Sequence, residues 1–229
     1  MALIKTLGLD MPPDFPVDAY NAVADKMSST RVNPIPRQEW QGAWNAIAHR
    51  FMACATHDDA FTESVGYAGR TPLAQDRHVQ ERELYNFFVN GLSAIDSVCY
   101  AMFAFASMIK PAVFPMTTFR DRQNVTPRET RDRYDRHFAG DAMTTLLDSV
   151  LDSAEFKKWS SIRNVLAHRI TPGRITNMPE DQTTMKVQLA TGIEDLPIDM
   201  NTTVSRRPWL ARTLKDLLTG AAAFVKRLP

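Results

Sequence analysis

The stretch Leu84–Ile109, LYNFFVNGLSAIDSVCYAMFAFASMI, decides the fold class. Leu84, Phe88, Leu92, Ile95, Cys99, Met102, Ala106 and Ile109 recur at steps of three and four, the period of one helical face. Phe87, Val98 and Phe103 widen that stripe, which predicts a helix at the centre of a helical body. The most apolar part, Val98–Ile109, is only about a dozen residues between Asp96 and Lys110-Pro111, too short to cross a bilayer. It reads as a buried core helix.

Towards the N-terminus a second stripe, Trp40, Trp44, Ile47, Phe51 and Cys54, runs from Pro36 to about Ala60, and Gly66–Pro72 breaks it. Residues 1–36 carry five prolines and read as an arm packed on the body, with a short helix over Val17–Met27. Towards the C-terminus, Pro111 and Pro115 end the central helix. The segment Arg120–His137 alternates arginines with acidic residues and reads either as a solvated, ion-paired helix or loop, or as a basic rim for a polyanion.

Asp141 opens a helix bearing Met143, Leu147, Val150 and Leu151. Asp152-Ser153-Ala154-Glu155 has the form of a capping box. The helix it opens carries Phe156, Trp159, Ile162 and Leu166 and stops at Thr171-Pro172-Gly173. Arg174–Thr176 and Met185–Ala190 alternate as a small hairpin. Leu210, Leu214, Leu217, Leu218, Ala221, Val225 and Leu228 mark a last helix, with Pro208 in its first turn and Ser205 as its cap. The expectation is an all-α protein: an up-and-down bundle of four to five long helices with a small β-hairpin appendage. Residues 37–229 form one domain in this reading, without internal repeats.

Composition narrows the function. The 229 residues carry a net charge of +1, so no global field draws nucleic acid or membrane. With 9 glycines, material for a phosphate-cradling loop is scarce. The start, MALIKTLGLDMPPDFP, lacks the basic-then-apolar form of a signal peptide, and Cys54 and Cys99 sit inside apolar helical patterns as reduced packing residues. A cytoplasmic location follows as the expectation, with no membrane contact and no cofactor.

Dinucleotide, P-loop, His-Glu-x-x-His and nucleophile-elbow motifs are all missing from the sequence. The five histidines, His49, His57, His78, His137 and His168, have no metal-ligand spacing on one helix, and no metal site is expected. His49 and His57 read as surface residues. The remaining constellation is Arg163-Asn164-Val165-Leu166-Ala167-His168. Asn164 and His168 are four apart and share a helical face away from Ile162 and Leu166, and the long Arg163 side chain can swing towards them. A proton carrier titrating near neutrality, a fixed cation and a neutral hydrogen bonder together suit metal-free phosphodiester cleavage by an adjacent 2′-hydroxyl. As structural residues, Arg163, His168 and Arg169 would instead cap the helix end in an ion-pair network.

This segment resembles the hallmark of the HEPN superfamily, helical-bundle proteins that include many metal-independent ribonucleases. Their signature is an Arg, four to six residues, then a His, often with a polar residue directly after the Arg. Arg163, Asn164 and His168 match it. Arg50 with His57 and Arg131 with His137 have the bare spacing too, but lack the Asn, the apolar flanks and the place at the end of a core helix. The resemblance implies a homodimer in which His168 is supplied twice, as base and as acid. It implies Arg163 stabilising a phosphorane-like transition state, Asn164 positioning phosphate or imidazole, and Arg169 holding RNA. It implies RNA as the substrate and a partner protein such as an antitoxin. The alternative is a non-catalytic dimerisation or nucleotide- or RNA-binding module of the same fold. Asp96, polar within the most apolar helix, either bonds a neighbouring helix or orients the Arg163 site.

Overall fold

The two long apolar stripes become two long helices. The computed structural model describes residues 2–29, 34–69, 71–168, 173–177, 182–189 and 192–226. In chain order its elements are β1 (Ala2–Ile4), β2 (Leu9–Met11), α1 (Val17–Ser29), α2 (Pro34–Ala68), α3 (Ala74–Ile109), α4 (Phe119–Gln123), α5 (Pro127–His137), α6 (Ala142–Leu151) and α7 (Ala154–His168). There follow β3 (Arg174–Asn177), β4 (Gln182–Leu189), β5 (Gly192–Pro197), α8 (Asn201–Val204) and α9 (Arg207–Val225). The described residues are mainly helical, with two small antiparallel sheets, β1-β2 and β3-β4-β5.

The sheet at the back of the chain is larger than a hairpin. Leu196 of β5 lies opposite Met185 of β4, both are buried, and Lys186 pairs with Asp195 at 3.4 Å. The strand signal of Gly192–Pro197 is weakened by glycine, proline and two adjacent acids. The hairpin β1-β2 is also additional. Its strands of three residues are too short to show a period of two, and Gly8 at φ 64° makes its turn.

Helix termini correct two expectations. Asp152 is the C-cap of α6, not the start of a capping box. Its amide donates to Asp148 O and its carboxylate takes Arg131 at 3.3 Å. Ser205 is likewise the C-cap of α8, and α9 begins at Arg207. Asp141 caps α6 as expected, accepting from the Met143 amide. The Arg120–His137 stretch divides at Asn124 into α4 and α5, each opened by a threonine cap. Three of its arginines are in close ion pairs: Arg122 with Glu39 at 3.1 Å, Arg131 with Asp132 and Asp152, and Arg133 with Glu129. This agrees with the ion-paired reading of that segment.

Contacts divide the chain into two compact units. The first comprises residues 1–50, 93–153 and 211–229. Here Tyr20 of α1 stacks on Trp44 at 5.2 Å, so the N-terminal helix is held by aromatic packing. Phe114, Tyr134, Phe138 and Phe224 form a second ring cluster, in which the Tyr134 hydroxyl donates to Met102 O at 2.8 Å. The polar face of α3, with Ser93, Asp96, Ser97 and Tyr100, lines a cavity of about 720 Å³ together with Glu39 and Arg50 of α2. Asp96 thus sits at the edge of the apolar stripe as a half-buried cavity residue.

The second unit comprises residues 51–92 and 154–210. Its centre is Trp159, fully buried against Phe87 at 5.1 Å, Phe88 at 5.0 Å and Trp209 at 5.4 Å. Gly91 leaves room for that indole, because a Cβ there would stand 2.3 Å from Trp159 Cζ3. Gly91→Ala is therefore expected to destabilise the protein. Overpacking against a rigid ring costs about 1–3 kcal/mol, more than the roughly 1 kcal/mol of helix propensity that alanine gains. A denaturant midpoint unchanged or raised by this substitution would refute the close approach.

An 18-residue window of α3 is apolar enough for a membrane span, longer than the dozen residues read from the sequence. It is 67% buried inside the protein, so its apolar side chains serve internal packing. Cys54 and Cys99 are buried free thiols. Burial pushes the Cys99 thiol far up, and Cys54 Sγ donates to Phe87 O.

Candidate functional site

The second unit carries the motif. In α7 the buried positions Trp159 and Ile162 direct one stripe inward, and the helix packs against β4, whose Thr183, Met185 and Val187 are buried. Phe156, Val165 and Leu166 are only half-buried, so the inward stripe is narrower at the helix end than its sequence suggests. Asn164 is exposed. Arg163 is half-buried, and its Nε is closed off from solvent with no hydrogen-bond partner among the described residues. His168 is the last residue of α7, and one turn of helix separates it from Asn164 on the same face. Its side chain, and the whole of Arg169, lie outside the described residues. The structure thus gathers Arg163, Asn164 and the His168 backbone within the last two turns of one helix.

The other two Arg–His spacings are absorbed elsewhere. Arg131 is bound by Asp132 and Asp152, and the His137 carbonyl accepts from Lys110 Nζ at 2.7 Å. Arg50 lines the cavity of the first unit. His57, read from the sequence as a surface residue, instead belongs to a built cluster. Its Nδ1 lies 2.6 Å from Glu83 Oε2, across α2 and α3, and its side chain is 24% exposed. Glu83 is 6% exposed, and Arg82 Nε donates to its other oxygen at 2.6 Å. Burial pushes the Glu83 carboxyl up, but the hydrogen bonds from His57 and Arg82 outweigh it and hold it below the ordinary glutamate value.

A second buried carboxylate follows in the chain. Asp58, 5% exposed, pairs with Arg207 at 3.5 Å, and the Arg207 guanidinium lies over the Phe51 ring at 5.9 Å. Burial raises the Asp58 carboxyl, against the lowering effects of the Thr203 hydroxyl and of Arg207. Near the α2–α3 turn, Gln80 donates to the carbonyls of Ser64 and Gly69 and accepts from Arg174 at 2.6 Å, tying β3 to α3. Among the described residues, no group of three or more histidines, cysteines or acids is arranged to hold a metal ion.

No family model matches this chain, and no curated protein or solved structure is significantly similar to it. The reading of the site therefore rests on its residues.

Proposed function

We propose that this chain is a HEPN-like, metal-independent endoribonuclease of toxin or defence type, an up-and-down bundle of four to five long helices acting in the cytoplasm as a homodimer. Arg163 stabilises the charge that grows on phosphorus, Asn164 positions the phosphate, His168 transfers a proton, and Arg169 holds the RNA backbone. An antitoxin-like protein is the expected partner. The observation that carries this reading is the Arg163 Nε, shut away from water without an acceptor among the described residues, beside the exposed Asn164 at a helix end. An unpaired buried donor costs about 1–3 kcal/mol, and donors aimed where charge develops are what phosphoryl chemistry uses.

The test is cleavage of a labelled mixed-sequence RNA in EDTA. The expected result is products ending in 2′,3′-cyclic phosphate, with His168→Ala slower by about 100-fold or more. Activity that appears only on adding Mg²⁺ or Zn²⁺ overturns the mechanism. A folded, dimeric but inactive wild type would instead identify a non-catalytic binding module.

A further inference from the structure

In the first unit, α2 and α3 flank the cavity of about 720 Å³, a volume within the range of small-molecule sites. Small residues on both helices make the room: Gly42, Ala43 and Ala46 on α2, Ser93 and Ser97 on α3. Gly42 lies inside a long helix, where glycine is destabilising relative to alanine. No packing explains it, because a Cβ at 42 would meet nothing within 4 Å beyond its own turn of helix. The missing side chain keeps the cavity open.

The charges are ordered along the cavity. At one end Glu39 is already satisfied, since Tyr100 donates to its Oε2 at 2.8 Å and Arg122 Nε lies 3.1 Å from its Oε1. Burial first, then the bond and charge of Glu39, pushes the Tyr100 hydroxyl far up, so it stays a donor. One turn away on α3 is Asp96, a half-buried carboxylate beside Ser97. The Ser97 hydroxyl donates to Ser93 O at 2.7 Å, which leaves its oxygen as an acceptor. At the other end stands Arg50, which is exposed. The two helices are antiparallel with Glu39 level with Tyr100, so the helical rise puts Arg50 about 10 Å past Asp96 along the pair.

A ligand that answers this order carries a cation for Asp96 and Ser97 and, close by, an anion for Arg50. An ammonium donates three hydrogen bonds, and a carboxylate takes a guanidinium in a bidentate pair. We propose that this cavity binds a free α-amino acid, its ammonium on Asp96 and Ser97 and its carboxylate on Arg50. The remaining volume takes the side chain and water. This site stands apart from the ribonuclease reading, since Arg163 belongs to the other unit.

The experiment titrates the full chain by calorimetry with each standard amino acid in turn, then with the N-acetyl and amide forms of the tightest binder. The expected result is binding of at least one amino acid, with each capped form weaker by about 10-fold or more. Asp96→Asn should abolish the preference for the free amine, and Arg50→Gln the preference for the free carboxylate. Gly42→Leu fills the cavity from a position with open space, so it should stay folded by circular dichroism and bind nothing. Arg50 is exposed, so Arg50→Gln tests the site even where a filled cavity disturbs the fold. A wild type that binds no amino acid overturns the proposal, as does folded Gly42→Leu binding as well as the wild type. Arg50→Gln that still prefers the free carboxylate overturns it as well. A wild type that dimerises and binds no amino acid, with Gly42→Leu monomeric, overturns it too and assigns the cavity to a second copy of the chain.

Discussion

Arg163→Met is expected to slow RNA cleavage by about 100- to 1,000-fold while leaving the protein as stable as the wild type or more so. Methionine retains most of the apolar stem that an arginine lays along its helix. What it removes is a guanidinium whose Nε is buried without a partner among the described residues. Leaving such a donor unpaired costs about 1–3 kcal/mol, and the substitution recovers part of it. The two readings of Arg163 thus predict opposite signs. If the arginine closes a helix-end ion-pair network, its loss lowers the urea midpoint and leaves cleavage untouched. If it is held for a phosphate, stability holds or rises and cleavage falls. Initial rates and urea melts on one preparation decide between them, and a lowered midpoint with full cleavage removes Arg163 from the site.

Much of the helical layout was legible because α-helical burial repeats on a local period. The stripe from Leu84 to Ala106 is buried along its whole length, as is the stripe from Trp40 to Cys54. The break between α2 and α3 overlaps the expected one at Gly66–Pro72, but α2 runs on past the expected end near Ala60 to Ala68. Strands of three to six residues gave too little pattern, so β1, β2 and β5 went unread. The Asp152 cap was misread because the backbone of that residue closes the preceding helix, its amide donating to Asp148 O, while its carboxylate is taken by Arg131.

At the site the limit was tertiary. His57 and Glu83 are far apart in sequence, and each alone resembles an ordinary surface residue. The signal was nevertheless present in the break itself. Two long helices folded back about residue 70 bring 57 opposite 83 and 54 opposite 87, which are the pairs that His57–Glu83 and Cys54–Phe87 make. Treating the two stripes as one antiparallel hairpin would have drawn attention to His57.

Arg207→Met is expected to cost about 3 kcal/mol near neutral pH, the lower end of what breaking a buried ion pair costs. The lower end applies because Arg207 is 17% exposed and its distance to Asp58 is 3.5 Å. The substitution also removes a cation from the face of Phe51. The loss should depend on pH, with a definite sign. Burial already holds the Asp58 carboxyl above its ordinary value, against the pull of Arg207. A carboxyl raised in the folded state favours folding below its unfolded pKa, where it is protonated in both states. That advantage disappears as pH rises through the folded pKa and the buried charge must be borne. Without Arg207 the folded pKa climbs further, so the penalty is fullest at neutral pH and shrinks as the pH is lowered towards about 4. Denaturant melts of the wild type and Arg207→Met between about pH 7 and pH 4 give the difference directly. A difference that stays constant across that range would mean that Asp58 is not the group left unpaired.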